Sequence, residues 1–442
     1  MKKANAAIVL FAFFIIEIML LSYSYKFAIL SVIFLVFLEI FSYSLIKKLR
    51  QDFQWLITPD DELPILSKEG LDKFIKSGYD GELGWIRKPN TEKEETGKDG
   101  ITKYHIGSRG SRKNPGHEKL PIKISFYGDS FLFARQVNDN ETCQWHLSEL
   151  TKTNVLNFSV GNYGLDQALM RLKREYPKNK SKIVVMGVVP STIVRILCVW
   201  KHYNEFGNTF GFKPRFMMEN GKLRLIRNFI DKEEKFYEYQ KYILQIRKHD
   251  YFYKTKFKND MIRFPYFVSI LSDPYRNFRI IFYIFISKLF KMEKDLDVYP
   301  LPMKVIMKSN LRLRYNLFSK DKHAVKLMEK IVEEFAAYAK KEKFIPVFLL
   351  MPQKDDLLFI RQKGNYYDAF IKKIIKRLEV IDLTEYLIGR NDLDEVYSDD
   401  NEYGGHYSSF GNKVVAEIVY DKLKEKKILG KDKTIVFKKS NI

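Results

Sequence analysis

The first part of the chain is a nearly continuous run of apolar residues from position 4 to position 46. A helix that crosses a bilayer needs about 20 apolar residues, so this run is long enough for two crossings. The polar stretch SYSYK at 22–26 divides it into halves of suitable length. The pattern therefore predicts a transmembrane helical hairpin over residues 1–46. Each predicted span contains one acid, Glu17 or Glu39, which must be protonated, paired or able to reach the membrane surface.

Basic residues flank the predicted hairpin on both sides. Lys2 and Lys3 precede the first span, and Lys47 and Lys48 follow the second. Because lysine and arginine are enriched in cytoplasmic flanks, both ends of the hairpin and the rest of the chain are predicted to face the cytoplasm. The alternative is that the first apolar run is a signal peptide, or that a single span inserts, which would place the following domain outside.

Beyond the hairpin, residues 47–120 form a polar leader segment with turn residues and short strand patterns, for example at 102–110. From position 121, strand patterns alternate with helical ones. Strands are predicted at 121–127, 155–160, 182–189, 345–351 and 380–383, and helices at 165–176, 323–340, 366–379 and 408–423. This alternation predicts an α/β domain over 121–442, with a doubly wound, flavodoxin-like parallel sheet and helices on both faces.

The alternating pattern is lost between positions 200 and 310, where basic residues are mixed with aromatic ones. This part is predicted to be an insertion in the α/β domain. Its apolar core at 280–286 is too short to span a bilayer. Two structures agree with the pattern: a helix lying among lipid headgroups, with Arg279 and Lys288 at its ends, and a helix buried in a lid.

Charge and cysteine content narrow the classes of partner. The formal net charge is +22 at pH 7, and the excess is mostly lysine spread along the chain, without an arginine-rich tract or a nucleic-acid-binding motif. Together with the apolar hairpin, this charge favours an anionic membrane surface over nucleic acid. Cys143 and Cys198 indicate neither a disulfide framework nor a zinc site, and no metal or cofactor is expected. Nothing in the sequence indicates the oligomeric state.

One strand end carries residues suited to nucleophilic chemistry. The predicted strand at 121–127 stops at Gly128, and Asp129 and Ser130 follow before apolar residues resume. Ligands of open parallel sheets bind where strands end and helices begin, and a helix is expected after Ser130. The N–H groups and dipole of that helix would stabilise a negative charge developing at the serine. The alternative is that Asp129 or Ser130 only caps the helix.

A serine nucleophile needs a base, and His406 has the most suitable position. It follows two glycines and closely precedes the last predicted helix. In a doubly wound sheet, this loop is expected at the same edge as the loop after the first strand. The alternative is an ordinary histidine in a glycine-rich turn. The other histidines lack such a setting; they are His105, His117, His146, His202, His249 and His323.

The segments around Ser130 and His406 resemble two of the short sequence blocks that characterise the SGNH (GDSL-type) hydrolases. In that family the first block contains a Gly-Asp-Ser turn, and the last block has a histidine before the closing helix. The similarity covers about 80–200 and 340–425 and includes GELGWIRKPN at 81–90. It implies that Ser130 attacks an ester carbonyl and that His406 removes the serine proton. It also implies an oxyanion hole made by the serine N–H, a second-block glycine N–H and a third-block asparagine side chain.

The chain departs from the family pattern in the expected oxyanion hole. In NFSVGNYGLDQ the second-block glycine aligns with Asn162, beside Gly161, and a backbone N–H is still expected to serve there. Ser191 or Thr192 stands in the region of the third-block asparagine. Loss of one oxyanion donor typically costs about 10²- to 10³-fold in rate, so the resemblance is compatible with a slow or specialised enzyme, or with an inactive one.

The second departure concerns the residue that orients the histidine. Three residues before His406, where the family has an acid, this chain has Tyr403. Asp399, Asp400 or Glu402 would have to orient the imidazole instead, or serine and histidine would work as a dyad.

The resemblance predicts a membrane-anchored serine esterase or O-acyltransferase with Ser130 and His406 as catalytic residues, assisted by Asp400 or Glu402. By family analogy, the substrate would be an acyl ester of a glycan or a lipid-linked sugar. The alternative is a catalytically weak or inactive membrane scaffold that keeps the fold and binds glycan or a protein partner. The altered asparagine and acid positions motivate that alternative.

Overall fold

The structure is a computed structural model that describes residues 2–52, 63–205, 207–293, 299–399 and 401–429. It consists of two compact units. We call the first the hairpin unit; it comprises 1–67, 200–211 and 238–310. We call the second the sheet unit; it comprises 68–199, 212–237 and 311–442.

The strands and helices are as follows, in chain order. The strands are β1 (Tyr79–Asp80), β2 (Gly84–Trp85), β3 (Glu92–Gly97), β4 (Gly100–His105), β5 (Ile122–Gly128), β6 (Asn154–Asn157), β7 (Ile183–Val188), β8 (Arg215–Glu219), β9 (Lys222–Ile226), β10 (Ile345–Leu350) and β11 (Glu379–Asp382). The helices are α1 (Lys2–Tyr23), α2 (Tyr25–Asp52), α3 (Lys68–Ser77), α4 (Cys143–Thr151), α5 (Leu165–Glu175), α6 (Thr192–Arg195), α7 (Ile243–His249), α8 (Lys258–Asp260), α9 (Tyr266–Leu271), α10 (Arg279–Leu289), α11 (Pro300–Ser319), α12 (Lys322–Glu342), α13 (Lys354–Lys363), α14 (Asp368–Ile374), α15 (Thr384–Leu387), α16 (Leu393–Val396) and α17 (Ser409–Glu425).

The centre of the sheet unit is a five-stranded sheet with the order β11-β10-β7-β5-β6. All its neighbouring strands are parallel. The chain starts near one edge, crosses to the centre and continues to the other edge, which is the doubly wound arrangement predicted from the alternating pattern. The predicted fold class is therefore confirmed. The short strands of the leader and of the insertion form separate two-stranded antiparallel sheets.

Apolar side chains on both faces of the sheet are buried by helices. On one face, Ile124 and Phe126 of β5 belong to a core cluster with Leu147 of α4 and Val415 of α17. On the other face lie α5, α12 and α14, and Phe348 of β10 meets the α14 ring of Phe370 with 6.2 Å between centroids. The near-complete burial of the central strands explains why β7 and β10 are apolar throughout.

The hairpin unit begins with two long helices, α1 and α2, which are separated at Ser24, inside the predicted break at 22–26. Both are long and apolar enough to cross a membrane. The short helix α9 packs against them. The carboxylate of Glu39 in α2 accepts hydrogen bonds from the backbone N–H groups of Tyr266 and Phe267, at 2.6 and 3.1 Å. The acid in the second span therefore has a partner, because it caps the N-terminus of α9.

Helix α10 contains the apolar core predicted at 280–286. Its residues Ile280 and Ile284 belong to an apolar cluster with Ile46 and Leu49 of α2. The opposite side exposes large apolar side chains, namely Phe278, Phe282, Phe285 and Leu289. One side of α10 is thus packed within the hairpin unit while the other side is uncovered in the described structure. The remaining part of the predicted insertion, 212–237, forms the β8–β9 hairpin of the sheet unit.

Candidate active site

The first element of the site is the end of β5. Gly128 is paired with Gly187 of β7, and a Cβ atom on Gly128 would lie 1.9 Å from the carbonyl oxygen of Gly187. No larger residue fits without displacing one of the two strands. This close approach explains why the strand pattern ends on glycine, and it places Asp129 and Ser130 at the carboxyl edge of the sheet, where the binding sites of such folds lie.

Asp129 holds the turn in place. Its side chain is fully buried, and Oδ2 accepts hydrogen bonds from the N–H of Val189 at 2.9 Å and from Nη1 of Arg195 at 3.2 Å. Oδ1 accepts from the N–H of Phe131 at 3.0 Å. Burial raises the pKa of Asp129, while Arg195 and the two N–H groups oppose that shift. Asp129 therefore joins the ends of β5 and β7 and has a structural role.

Ser130 is 6% exposed, and its Oγ has no hydrogen-bond partner within the described residues. The helix expected after it is absent. Residues 130–136 form successive turns, and Ala134 and Gln136 have positive φ angles of 60° and 67°, which interrupt a right-handed helix. The prediction that a helix dipole activates Ser130 is therefore wrong, and any activation must come from individual groups.

His406 is positioned by a tight loop between α16 and α17. Gly404 and Gly405 have φ angles of 73° and 62°, and a Cβ on Gly405 would lie 2.3 Å from Oγ of Ser398. The loop closes through a hydrogen bond from the N–H of Ser398 to the carbonyl of His406 at 2.7 Å. The imidazole packs against the ring of Phe131, the residue after Ser130, with 4.9 Å between ring centroids. The structure thus brings the two predicted catalytic segments together.

The partner of His406 is Gln136. Oε1 of Gln136 lies 2.7 Å from Nδ1 of His406 and also accepts from the backbone N–H of His406 at 3.2 Å. Oγ of Ser398 donates to the same oxygen at 3.0 Å. The other amide atom of Gln136, Nε2, donates to the carbonyl of Thr96 at 3.3 Å, and a backbone N–H is always a donor, so the atom facing His406 is the amide oxygen. Nδ1 therefore carries the proton, and the lone pair of the neutral ring is on Nε2.

Of the carboxylates proposed to orient His406, the two in the described part of the chain make no contact with its ring that would do so. Asp400 lies outside the described residues. Asp399 and Glu402 form no ion pair with His406, and Glu402 is exposed. Burial, followed by the charges of Arg135 and Arg195, lowers the pKa of His406 well below its ordinary value of 6.5. The ring is therefore neutral at physiological pH, which is the form that a general base requires.

Backbone N–H groups next to Ser130 are available for an oxyanion. The segment after β6 continues along β5, with the N–H of Val160 bonded to the carbonyl of Gly128 at 3.0 Å. This segment places Gly161 next to Ser130, because a Cβ atom added to Gly161 would lie 3.9 Å from Cβ of Ser130. Asn162 follows in the left-handed region, with a φ of 64°. In the part of the chain that the structure describes, the N–H groups of Ser130, Gly161 and Asn162 have no acceptor.

The third-block candidates have other surroundings. Ser191 precedes α6, and its Oγ is buried without a hydrogen-bond partner among the described residues. Oγ1 of Thr192 accepts from the N–H of Leu165 at 2.9 Å, at the start of α5. Thr192 therefore has a structural role, and no hydrogen bond joins Ser191 to Ser130 in the described structure. The backbone N–H groups are the donors that the geometry supports.

Two side chains that the structure places at this site are not indicated by the sequence. Gln136 was missed because a glutamine six residues after the serine carries no recognisable pattern. Arg87 was missed because the leader segment was expected only to contain short strands. In the structure, Nε1 of Trp85 donates to the carbonyl of Gly161 at 2.9 Å, and Nη2 of Arg87 lies 3.6 Å from the position of a Cβ on Gly161. The leader thus contributes to the site, and the only signal was the family-like block at 81–90.

Several solved structures are similar to this chain. They include an acetyl xylan esterase (11% identity, covering 68% of this chain and all of that one, TM-score 0.33). They also include the esterase EstA from Pseudoalteromonas sp. (8% identity, covering 69% of this chain and 98% of that one, TM-score 0.31). A third is a lipase/acylhydrolase from Enterococcus faecalis (11% identity, covering 69% of this chain and 96% of that one, TM-score 0.31). No protein-family model and no curated protein matches the chain.

Proposed function

We propose that this protein is a membrane-anchored serine esterase or O-acyltransferase of the SGNH type. The observation that carries the proposal is the hydrogen bond between Gln136 and His406. This bond places the proton on Nδ1 and leaves Nε2 as a base beside the segment of Ser130. A neutral amide in this position can orient the ring, as an asparagine does in Cys-His-Asn sites.

The reaction would begin with attack of Ser130 Oγ on the ester carbonyl carbon, while Nε2 of His406 takes the serine proton. The carbonyl oxygen becomes an oxyanion that the N–H groups of Ser130, Gly161 and Asn162 can stabilise. The C–O bond to the alcohol then breaks, and the imidazolium returns its proton to the leaving oxygen. A water molecule completes hydrolysis of the acyl-enzyme, whereas a sugar hydroxyl completes transfer.

The absence of a carboxylate beside His406 in the described structure has a cost. The imidazolium that forms during the reaction faces an amide dipole and two nearby guanidinium groups instead of a negative charge. Its formation is therefore less favourable than in a site with an acid. We expect slow turnover, which suits a substrate presented at high local concentration, such as a glycan or lipid-linked ester held at a membrane.

The test is labelling of the full-length protein in detergent with a fluorophosphonate probe. The wild type and Ser159→Ala should be labelled, whereas Ser130→Ala should not. Ser159 is a suitable control because it is also a buried serine, and its Oγ has no hydrogen-bond partner among the described residues. Equal labelling of Ser130→Ala would overturn the assignment.

Among the described residues no carboxylate pairs with His406, and this also favours a second candidate, a non-catalytic scaffold that binds a glycan or a protein. The two candidates differ in turnover. If the purified protein hydrolyses or transfers an acyl ester, and His406→Ala abolishes the activity, the scaffold is excluded. If the wild type shows neither labelling nor turnover but binds glycan, the scaffold is supported.

A further inference from the structure

The guanidinium of Arg87 forms no hydrogen bond or ion pair with a carboxylate or carbonyl group of the described residues, although the charge of Glu95 acts on it. It is held over the rings of Tyr104 and Phe133, at 5.2 and 5.4 Å from their centroids. Its Nε is inaccessible to water and forms no hydrogen bond with any described residue. Burying a polar group without a partner is unfavourable. The terminal Nη1 and Nη2 also donate to no described residue, and because Arg87 is only partly buried they are the donors that a ligand can reach.

Arg112 lies against the same two rings, but its guanidinium, unlike that of Arg87, is hydrogen-bonded within the fold. Its Nε donates to Oδ1 of Asp139 at 2.9 Å, and its Nη1 and Nη2 donate to backbone carbonyls, including those of Phe133 at 2.8 Å and Val137 at 2.7 Å. Arg112 is thus a structural residue with its donors used inside the fold. The same pair of rings therefore supports one arginine that is satisfied and one that is not.

Arg87 is next to the proposed nucleophile. A Cβ atom added to Gly161 would lie 3.6 Å from Nη2 of Arg87 and 3.9 Å from Cβ of Ser130. The two groups are therefore separated by no more than the sum of these distances, which is the length of a few covalent bonds. The chain two residues before Arg87 is held at the site, because Nε1 of Trp85 donates to the Gly161 carbonyl and the Trp85 carbonyl accepts from the hydroxyl of Tyr163 at 2.6 Å.

The neighbouring charges leave an excess of cations. Nε of Arg135 lies 3.0 Å from both carboxylate oxygens of Glu95. Burial opposes ionisation of Glu95, but Arg135, Arg87 and Lys93 together lower its pKa. Loss of hydration and the charges of Arg87 and Arg135 lower the pKa of Lys93. The carboxylate of Glu95 is thus shared by three cations, Arg87, Lys93 and Arg135. The net positive charge around them would attract a second anion.

We propose that Arg87 binds an anionic group, a carboxylate or a phosphate, on the ester that Ser130 attacks. This inference rests on the proposed esterase or acyltransferase function. A guanidinium fork matches both anions through paired N–H donors. The anion would lie on the same molecule as the ester, a few bonds from the carbonyl. The preferred substrate is thus an acylated acidic sugar or an acylated sugar phosphate, and neutral acyl sugars are poorer substrates.

The experiment compares three monoacetylated sugars with the full-length protein in detergent: methyl glucoside, methyl glucuronide and methyl glucoside 6-phosphate. The wild type should prefer one of the anionic esters, and the comparison between those two distinguishes carboxylate from phosphate. Arg87→Gln should lower kcat/KM for the preferred anionic ester by about 10- to 100-fold, because a hydrogen bond to a charged group is lost. The neutral ester should change by less than about twofold.

Two further variants separate charge from folding. Arg87→Lys should restore part of the preference, since it keeps the positive charge but not the fork. Arg109→Gln, a change of an exposed arginine in the same unit, should leave all three rates unchanged. Equal wild-type rates for neutral and anionic esters, or equal losses for all three in Arg87→Gln, would overturn the proposal.

Failure of the proposed function can be distinguished from failure of this inference. If the probe labels Ser130 but no anionic preference exists, the esterase assignment stands and the anion site is wrong. If no ester is turned over, calorimetric titration with methyl glucuronide and methyl glucoside 6-phosphate decides. Weaker binding by Arg87→Gln than by the wild type supports the anion site, and equal or undetectable binding by both contradicts it.

Discussion

Oε1 of Gln136 and Nδ1 of His406 are 2.7 Å apart, although 270 positions separate the two residues in the sequence. The amide oxygen receives the ring proton and the backbone N–H of the same histidine. In this way a neutral side chain determines which nitrogen of His406 is basic. This contact distinguishes the site from a catalytic triad, in which a carboxylate accepts the hydrogen bond from the histidine ring.

Removing the Gln136 side chain should impair proton transfer more than folding. Gln136→Ala leaves His406 free to rotate and to change tautomer, so kcat should fall by about 10²- to 10⁴-fold, the usual contribution of a positioned base. The control is Gln362→Ala at an exposed position of α13. Equal activities of these two variants would show that Gln136 does not orient the base.

Gln136→Glu tests the same contact in the other direction. A carboxylate at this position favours the imidazolium and should raise the pKa of His406. The acid limb of the kcat/KM profile should then move to higher pH, and the rate at pH values above that limb should increase. A profile identical to that of the wild type would contradict the hydrogen bond.

If the proposed function is right, the wild-type protein should remain active at unusually low pH. His406 must be neutral to accept a proton, and its pKa in the folded protein is well below 6.5 because of burial and the charges of Arg135 and Arg195. Activity is therefore retained as the pH falls through 6.5, and it is lost only when the pH passes through the lower pKa. The measurement is kcat/KM between pH 4 and pH 9.

Arg135→Gln provides the matching variant for that profile. Removal of one positive charge should raise the pKa of His406, so the acid limb should move upward toward 6.5. Arg109→Gln, which lacks a predicted contact with His406, should leave the limb in place. An acid limb near 6.5 in the wild type, unchanged by Arg135→Gln, would show that these charges do not act on the histidine.

The two acids of the apolar helices should respond differently to mutation. Glu39→Leu removes the acceptor of the partly buried Tyr266 and Phe267 N–H groups, and a donor left without an acceptor costs up to about 1–3 kcal/mol when it is buried. Oε1 of Glu17 is buried without a partner among the described residues, so Glu17→Leu should be neutral or stabilising. Thermal unfolding in detergent should rank Glu39→Leu below the wild type and Glu17→Leu at or above it; the reverse order would contradict the capping role.

The side of the membrane on which the sheet unit lies can be measured with one introduced thiol. Both native cysteines are buried, and burial raises the pKa of Cys143 to about 12, so they should react slowly. Ile101 is 76% exposed in β4, and Ile101→Cys should react with an impermeant maleimide. A cytoplasmic sheet unit predicts labelling only after the cells are permeabilised. Labelling of intact cells would support the alternative with a single span.

The strands of the central sheet and the two long apolar helices could be predicted from the sequence because their signals are local, whereas the helix expected after Ser130 is absent. The alternation at 121–189 and 345–423 determined the parallel sheet, and the apolar run at 4–46, broken near Ser24, determined the two long helices. Gly128 could be identified as a strand end, and His406 as a loop residue before the last helix. Each of these features depends on periodicity or turn chemistry within about 20 neighbouring residues.

The chemistry of the site was decided by the tertiary structure. Nothing near Gln136 in the sequence distinguishes it from Glu402 or Asp399 as a partner of His406, and only the fold brings its amide oxygen to the ring. The sequence also does not show which of Arg87 and Arg112 is hydrogen-bonded within the fold: Arg112 donates to Asp139 and backbone carbonyls, while Arg87 forms no hydrogen bond with any described residue. The role of a polar side chain depends on the group that faces it across the fold, because hydrogen bonds and charges act over a few ångströms of space regardless of sequence separation.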